Sequence, residues 1–385
     1  MALLALAVAG GSVAYVPLLT VLLPLKVSAL QGFEDVGALA RVTFFGAIIA
    51  SLANIAFGML SDRSRNRAGW IAAGLIISTV LLVAMSRASS MVELIVLIMT
   101  WQIGLNMMLG PLFAWAGDCV PDSQKGMLGG LFALAPAMGA VTASFVTFEA
   151  FVGIEYRLFV VAGIVVLLIA PMLILGRGRE RAELIQPVLD NAVHGDEEDH
   201  SRGTVIRMWI ARFLVQIAEA GLFAFALFWL RSLAQDTHEN TAANIFSVIL
   251  IVAVPMSMWL GRWSDRARKP IAPLVFCAGF SAVGLVVMSF AFDLTSAIAG
   301  YVIFGIAATI FLALHSGQTL RVLPRPQHRG RDLGIFNLTN TVPSIVMPWL
   351  TLTLVPSFGF SALFVLFAGL ATLAAMLLVT LPQRA

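Results

Sequence analysis

Long apolar runs separated by short polar breaks fill this chain from one end to the other. The runs do not alternate with a period of two, so they are not the strands of a membrane barrel. Most are about 20 residues long, enough for a helix to cross a hydrocarbon core of roughly 30 Å. Inside that core the backbone must bond to itself, which leaves the helix as the spanning element. The pattern predicts twelve spans. Six cover residues 2–25, 36–60, 70–87, 91–117, 126–149 and 157–176, and six more cover 207–231, 242–260, 271–291, 296–322, 333–355 and 360–381. The first run starts at Ala2 with no charged leader and no cleavage site, and reads as a span rather than a removable signal.

The polar breaks contain a repeat. Gly58-Met59-Leu60-Ser61-Asp62-Arg63-Ser64-Arg65-Asn66-Arg67 follows the second span, and Gly261-Arg262-Trp263-Ser264-Asp265-Arg266-Ala267-Arg268-Lys269 follows the eighth. Both contain Gly-x3-Asp-Arg with an Arg two residues on, at an offset of 203 (261 − 58). Val120-Pro121 and Leu323-Pro324 repeat at the same offset, and Lys125-Gly126 and Arg329-Gly330 at 204. The chain therefore reads as two homologous halves: a six-helix bundle over 1–176, a polar linker over 177–206 containing Gly195-Asp196-Glu197-Glu198-Asp199-His200, and a second six-helix bundle over 207–385.

Composition agrees with the membrane reading. Hydrophobic residues make up 59% of the chain and charged residues 12%, against about 25% charged in a soluble protein. The net charge of +3 is spread over short loops and is no nucleic-acid footprint. Cys119 and Cys277 have no metal spacing and are too few for a disulfide framework. Of 24 Lys and Arg, 18 fall on one side of the predicted topology, leaving Lys26, Arg41, Arg87, Arg157, Arg212 and Arg231. By the positive-inside rule both termini, the linker and the charged turns are expected in the cytoplasm, with the chain in the cell's inner membrane.

Twelve spans, a long central loop and the doubled Gly-x3-Asp-Arg turn resemble the major facilitator superfamily over the whole chain. The resemblance implies an all-α fold of two six-helix bundles related by a pseudo-two-fold axis, working by alternating access. Gly58, Asp62, Arg63 and Arg67 match the family's motif A, and Gly261, Asp265 and Arg266 repeat it. Arg65 departs from that motif, which carries Gly after Asp-Arg-x. The resemblance implies that Asp62 meets the start of span 11, with Arg331 as a partner, and Asp265 the start of span 5 near Gly126. These contacts would form a conformational latch. Asn106-x4-Pro111, Asp118-x-Val120-Pro121 and Arg329-x-x-Asp332-Leu333-Gly334-x-x-Asn337 are similar to the sucrose and glycoside cation symporters. Ala135-Pro136-Ala137-Met138-Gly139-Ala140 resembles a degraded antiporter motif of drug exporters. Many proton-linked members carry an Arg three residues before Gln-x-Gly in span 4; here Met99 precedes Gln102-Ile103-Gly104.

No phosphate-binding loop, His-Glu-x-x-His or Gly-x-Ser-x-Gly is present, so hydrolytic energy and enzymatic chemistry are not expected, nor is a cofactor or metal. Chemistry must come from polar groups at membrane depth, which are costly there and usually face a bundle interior or an aqueous cavity. In span 7, Arg212, Gln216 and Glu219 are spaced four and three apart and share a helix face. Glu219 lies about twelve residues into the span, roughly 18 Å deep. Such a carboxylate can load and release a proton; the alternative is a static pair with Arg212. Span 10 offers His315 and Gln318, span 11 Asn337 and Asn340, span 4 Gln102 and Asn106, and span 1 Tyr15. Each can contact a solute, or join helices. Trp259 and Trp263, near a span boundary, read as interface anchors. The resulting expectation is a monomeric, proton-coupled transporter of a small organic solute, with a sugar or glycoside favoured. A proton-driven efflux antiporter and a non-transporting membrane sensor are the alternatives.

Overall fold

The computed structural model describes residues 1–31, 36–148, 151–176, 195–234, 240–323 and 328–381. Helices stand at all twelve predicted span positions. α1 runs through Ala2–Pro17, a π turn at Leu18–Leu22, and Leu23–Gln31. It is followed by α2 (Val36–Ser64), α3 (Arg67–Ala84), α4 (Met91–Cys119), α5 (Lys125–Phe132 continued by Leu134–Thr147) and α6 (Arg157–Leu175). The later helices are α7 (Gly195–Leu233), α8 (Asn240–Ala267), α9 (Ala272–Ser289) and α10 (Leu294–Val322). The stretch Arg329–Val379 holds α11 and α12, broken at Gly359, whose φ of 73° ends the helical path. No strand occurs among the described residues.

Among the described residues, ten helices are long and apolar enough to cross a membrane. α7 and α11 occupy the other two predicted positions, with Arg212 and Glu219 in one and Asn337 and Asn340 in the other. Two expectations change. The charged stretch from Gly58 is mostly helix, since α2 continues to Ser64 and only Arg65 and Asn66 turn. The second part of the expected linker is also helical, because α7 starts at Gly195, twelve residues (207 − 195) before the predicted span. The earlier part of the linker, to residue 194, and Pro324 of the repeated Leu-Pro pair lie outside the described residues.

The duplication reaches the helix ends. α4 and α10 are each 29 residues long and are offset by 203 at both ends. Their N-caps repeat as well. The Ser90 hydroxyl accepts from the Glu93 amide at 3.2 Å, and the Asp293 carboxylate accepts from the Ser296 amide at 3.1 Å. Each satisfies an amide that the helix itself leaves without a partner. The bonds from Ser296, its hydroxyl above all, hold the Asp293 carboxyl below the usual carboxylate range. After α2 and α8 the chain turns through Arg65 at φ 51° and Arg268 at φ 52°, again 203 apart.

The chain divides into two compact units that share the sequence halves unevenly. The first holds Met1–Pro121, the chain from Leu134 through α6, and the start of α11 up to Thr341. In it α1 packs on the second segment of α5 and on α6, while α4 packs on α2 and α3. The second holds Asp122–Ala133, α7 to α10, and the chain from Val342 onward. There α10 packs on α7, α8, α9 and the first segment of α5. Each unit thus includes the opening turns of the fifth helix of the other sequence half.

Candidate functional site

Polar side chains gather in three places, and the charged helix ends are the most regular of them. In the first unit the Asp62 carboxylate accepts from the backbone amides of Gly330 at 3.0 Å and Arg331 at 2.9 Å. It therefore sits on the N-terminus of α11, where unpaired amides and the helix dipole favour an anion. Its ion-pair partner is Arg67, at 2.7 Å. The expected pairing with the Arg331 side chain is replaced: only the amide of Arg331 reaches Asp62, and its guanidinium pairs with Asp332 at 2.8 Å. Arg67 also contacts Asp118 at 3.2 Å, and Asp118 in turn takes Arg329. Two carboxylates and two guanidiniums form a balanced chain across α2, α3, α4 and α11. Removing one member of such a buried pair costs about 3–5 kcal/mol, because the other charge is left without compensation. Arg63 points to the exterior and is exposed.

The second unit repeats the carboxylate and changes the cation. Asp265 accepts from the amides of Gly126 at 3.0 Å and Met127 at 2.8 Å, at the N-terminus of α5. Its partner is Arg321 of α10, at 3.0 Å. Arg321 stands 203 residues after Asp118, so the repeat carries a cation where the first copy has an anion. Lys125, the counterpart of Arg329, donates to the Leu320 carbonyl at 2.7 Å and pairs with Asp122. Arg266 is exposed like Arg63.

Both contacts depend on glycine. A methyl group on Gly58 would fall on the Gly330 carbonyl, and one on Gly261 on the Gly126 carbonyl. Gly334 and Gly130 extend the two interfaces, against Ile55 and against Ser257 and Met258. These glycines correspond pairwise at offsets of 203 and 204.

The second cluster lies midway along α7 and on the facing part of α10. Gln216 donates to the Glu219 carboxylate, and Arg212 and Glu219 are close enough to attract one another. Arg212 also donates to the Leu312 carbonyl and the Ser316 hydroxyl, both at 3.1 Å, which ties α7 to α10. Tyr301 of α10 is buried and within electrostatic reach of Glu219. His315 is fully buried with both ring nitrogens engaged, Nε2 with the Met208 carbonyl at 3.0 Å and Nδ1 with the Thr319 hydroxyl at 3.1 Å. That geometry suits a strut between helices. Gln318 is 1% exposed, and its Oε1, like that of Gln216, has no hydrogen-bond partner among the described residues.

The third cluster joins α2 and α4. Asn54 donates to the Asn106 side chain at 2.9 Å, and Asn106 donates to the Gln102 carbonyl at 2.9 Å and side chain at 3.2 Å. All three are buried, and the bonds run from one helix to the other. Elsewhere, Asn340 donates to Asn337 at 3.0 Å, and the Tyr15 and Ser12 hydroxyls are 3.3 Å apart. Ser51 donates to Thr341 at 2.7 Å, adding to the α2–α11 contact. The sequence expectation lacked Asn54, Ser51, Tyr301 and Arg321 as site residues, and gave Asp118 only as part of a motif, without its cation partners. A carboxylate in the last turn of a membrane helix opposes the helix dipole, so Asp118 carried a visible signal of a cation partner.

The family model described as Major Facilitator Superfamily matches the chain over residues 1–314 and 208–385. The chain belongs to the major facilitator superfamily. It is therefore a multi-pass membrane transporter and not an enzyme. Among solved structures, this family member is similar to the human organic anion transporter TETRAN, with a TM-score of 0.78 at 14% identity, covering 98% of each chain. It is similar to a bacterial homologue of the iron transporter ferroportin in its outward-facing state, with a TM-score of 0.77 at 14% identity over 99% of each chain. It is also similar to the proton:xylose symporter XylE bound to 6-bromo-6-deoxy-D-glucose, with a TM-score of 0.72 at 15% identity over 99% of this chain and 96% of that one. At these identities the likeness establishes the fold. A comparison with curated protein sequences found no match.

Proposed function

We propose that this superfamily member is a secondary active transporter of a small organic solute, coupled to protons through Glu219. The observation that carries the reading is a carboxylate at membrane depth held by Gln216 and attracted by Arg212. An ionisable group is costly there even when paired, which fits a place where a proton or a ligand is exchanged. The spare acceptors Gln216 Oε1 and Gln318 Oε1 suit a solute that donates hydrogen bonds, as a sugar or glycoside does. A proton:xylose symporter among the structural neighbours supports the same choice. The alternating element is the pair of sequence halves 1–176 and 207–385, with Asp62 and Asp265 as latches. The cytoplasm holds both termini, and the inner membrane holds the chain.

Glu219→Gln in proteoliposomes is expected to abolish uptake driven by a pH gradient while leaving counterflow exchange intact. Undiminished gradient-driven accumulation would remove Glu219 from the coupling role. For the solute, a thermal-shift screen should show stabilisation by sugars or glycosides. Stabilisation by hydrophobic cations alone would favour the efflux reading instead.

A further inference from the structure

The two charged turns share their backbone and differ in what they expose. Each ends its helix, then turns through an arginine in the left-handed region, Arg65 or Arg268. At the end of α8 the second copy carries Trp259, Arg262 and Trp263; at the matching positions the first copy has Ala56, Met59 and Leu60. The turn folds without these residues, so they serve something other than the turn.

Their placement is ordered. Val248, Val252, Met256, Trp259 and Trp263 follow one another at spacings of three and four, and all are exposed. They form one apolar stripe along α8 that ends in two indoles, Trp259 64% and Trp263 37% exposed. Arg262 and Arg266 lie one turn apart at the same end, and Arg268 and Lys269 follow. All four cations are exposed, and none has a salt-bridge partner among the described residues. The carboxylate at this turn, Asp265, is committed to Arg321 and the α5 amides. In the first copy Arg63 and Arg65 match Arg266 and Arg268 and are exposed too, but Met59 and Asn66 stand where the second copy has Arg262 and Lys269, and Asn66 caps α3.

We propose that this end of α8 is a binding site for an anionic phospholipid. The acyl chains lie along the valine and methionine stripe, the indoles sit at the glycerol level, and Arg262, Arg266, Arg268 and Lys269 hold the phosphodiester. Indoles prefer that boundary because one edge is apolar and the other donates a hydrogen bond. Each cation near an anionic lipid surface contributes about a fivefold factor in binding.

The test is native mass spectrometry of the full chain in detergent, titrated with phosphatidylglycerol or phosphatidylcholine. Wild type should retain phosphatidylglycerol preferentially. R262Q/R266Q should weaken it roughly twentyfold, and R262K/R266K should keep most of it. W259A/W263A should weaken retention of both lipids. The first-turn pair R63Q/R65Q should leave retention of phosphatidylglycerol close to wild type. Equal losses in R262Q/R266Q and R63Q/R65Q would overturn the site in favour of general positive charge. Absence of a preference in wild type would also overturn it, as would competition by inorganic phosphate at matched concentration, which would mark a soluble-anion site.

Discussion

Arg65 and Arg268 occupy backbone conformations in which a side chain crowds the following carbonyl, at a cost of about 1–2 kcal/mol. The position is one where helices commonly end on glycine. Motif A of the family carries Gly there, so the departure at Arg65 is a departure in side chain with the backbone retained. Glycine removes the crowding but makes the unfolded chain more flexible, by about 0.4–1 kcal/mol. Arg65→Gly is therefore expected to be neutral or to stabilise by up to about 1 kcal/mol. Arg65→Val should destabilise by about 1–2 kcal/mol, since a branched Cβ tolerates this region least. Thermal unfolding of the purified protein gives the order, and a valine variant as stable as wild type would show that the turn is not strained. At this scale the sequence exposed the anchors Asp62 and Asp265 through their repetition. It did not expose Asp118–Arg329, since no local pattern links residues 211 apart. Nor did it show that Arg331 contributes its amide in place of its side chain: the carboxylate meets a helix terminus, and which amides reach it depends on where α11 begins.

The helices meet where side chains are missing. Gly58 lies against the backbone of Gly330, and Gly261 against that of Gly126, so neither interface has room for a methyl group. Gly279 in α9 has nothing within 4 Å of where a Cβ would stand. Gly58→Ala is expected to cost about 1–3 kcal/mol through overpacking. Gly279→Ala should be neutral, or stabilising by up to about 1 kcal/mol through helix propensity. Equal melting temperatures for the two variants would show that α2 and α11 can part freely. Element positions were legible because an apolar run of spanning length has few alternatives. Element ends were less so. Hydropathy marks where a helix leaves the hydrocarbon, not where it stops, and α2, α7 and α8 all continue into charged sequence: to Ser64, from Gly195 and to Ala267. The polar run Asp196–Asp199 read as solvated linker on charge alone, although its backbone is helical.

Over the whole molecule the duplication has a mechanical consequence. The opening turns of α5 group with the second half of the sequence, and those of α11 with the first. Each is held by one carboxylate on two helix-start amides, and the two holds share no residue. Charge-assisted hydrogen bonds of this kind contribute about 1.5–3 kcal/mol. An amide in place of the carboxylate loses the charge and the ion pair but keeps the shape. Asp62→Asn leaves Arg67 with Asp118 as counter-charge, whereas Asp265→Asn leaves Arg321 only a hydrogen bond to the Asp122 carbonyl. In a background with Cys119 and Cys277 replaced by Ala, single cysteines at Ser51 and Ser257 report the two contacts, since Ser51 bonds Thr341 and Ser257 bonds the Gly130 carbonyl. If the carboxylates are latches, Asp62→Asn should raise thiol labelling at position 51 about tenfold, as a loss near 1.4 kcal/mol implies. Asp265→Asn should do the same at position 257. A transporter that alternates as a unit must release both holds together, so the double variant should label faster at each position than either single one. Labelling in the double variant equal to that in the matching single variants would mean that the contacts open independently. Labelling unchanged in all three would mean that Asp62 and Asp265 brace the helix ends without gating their separation.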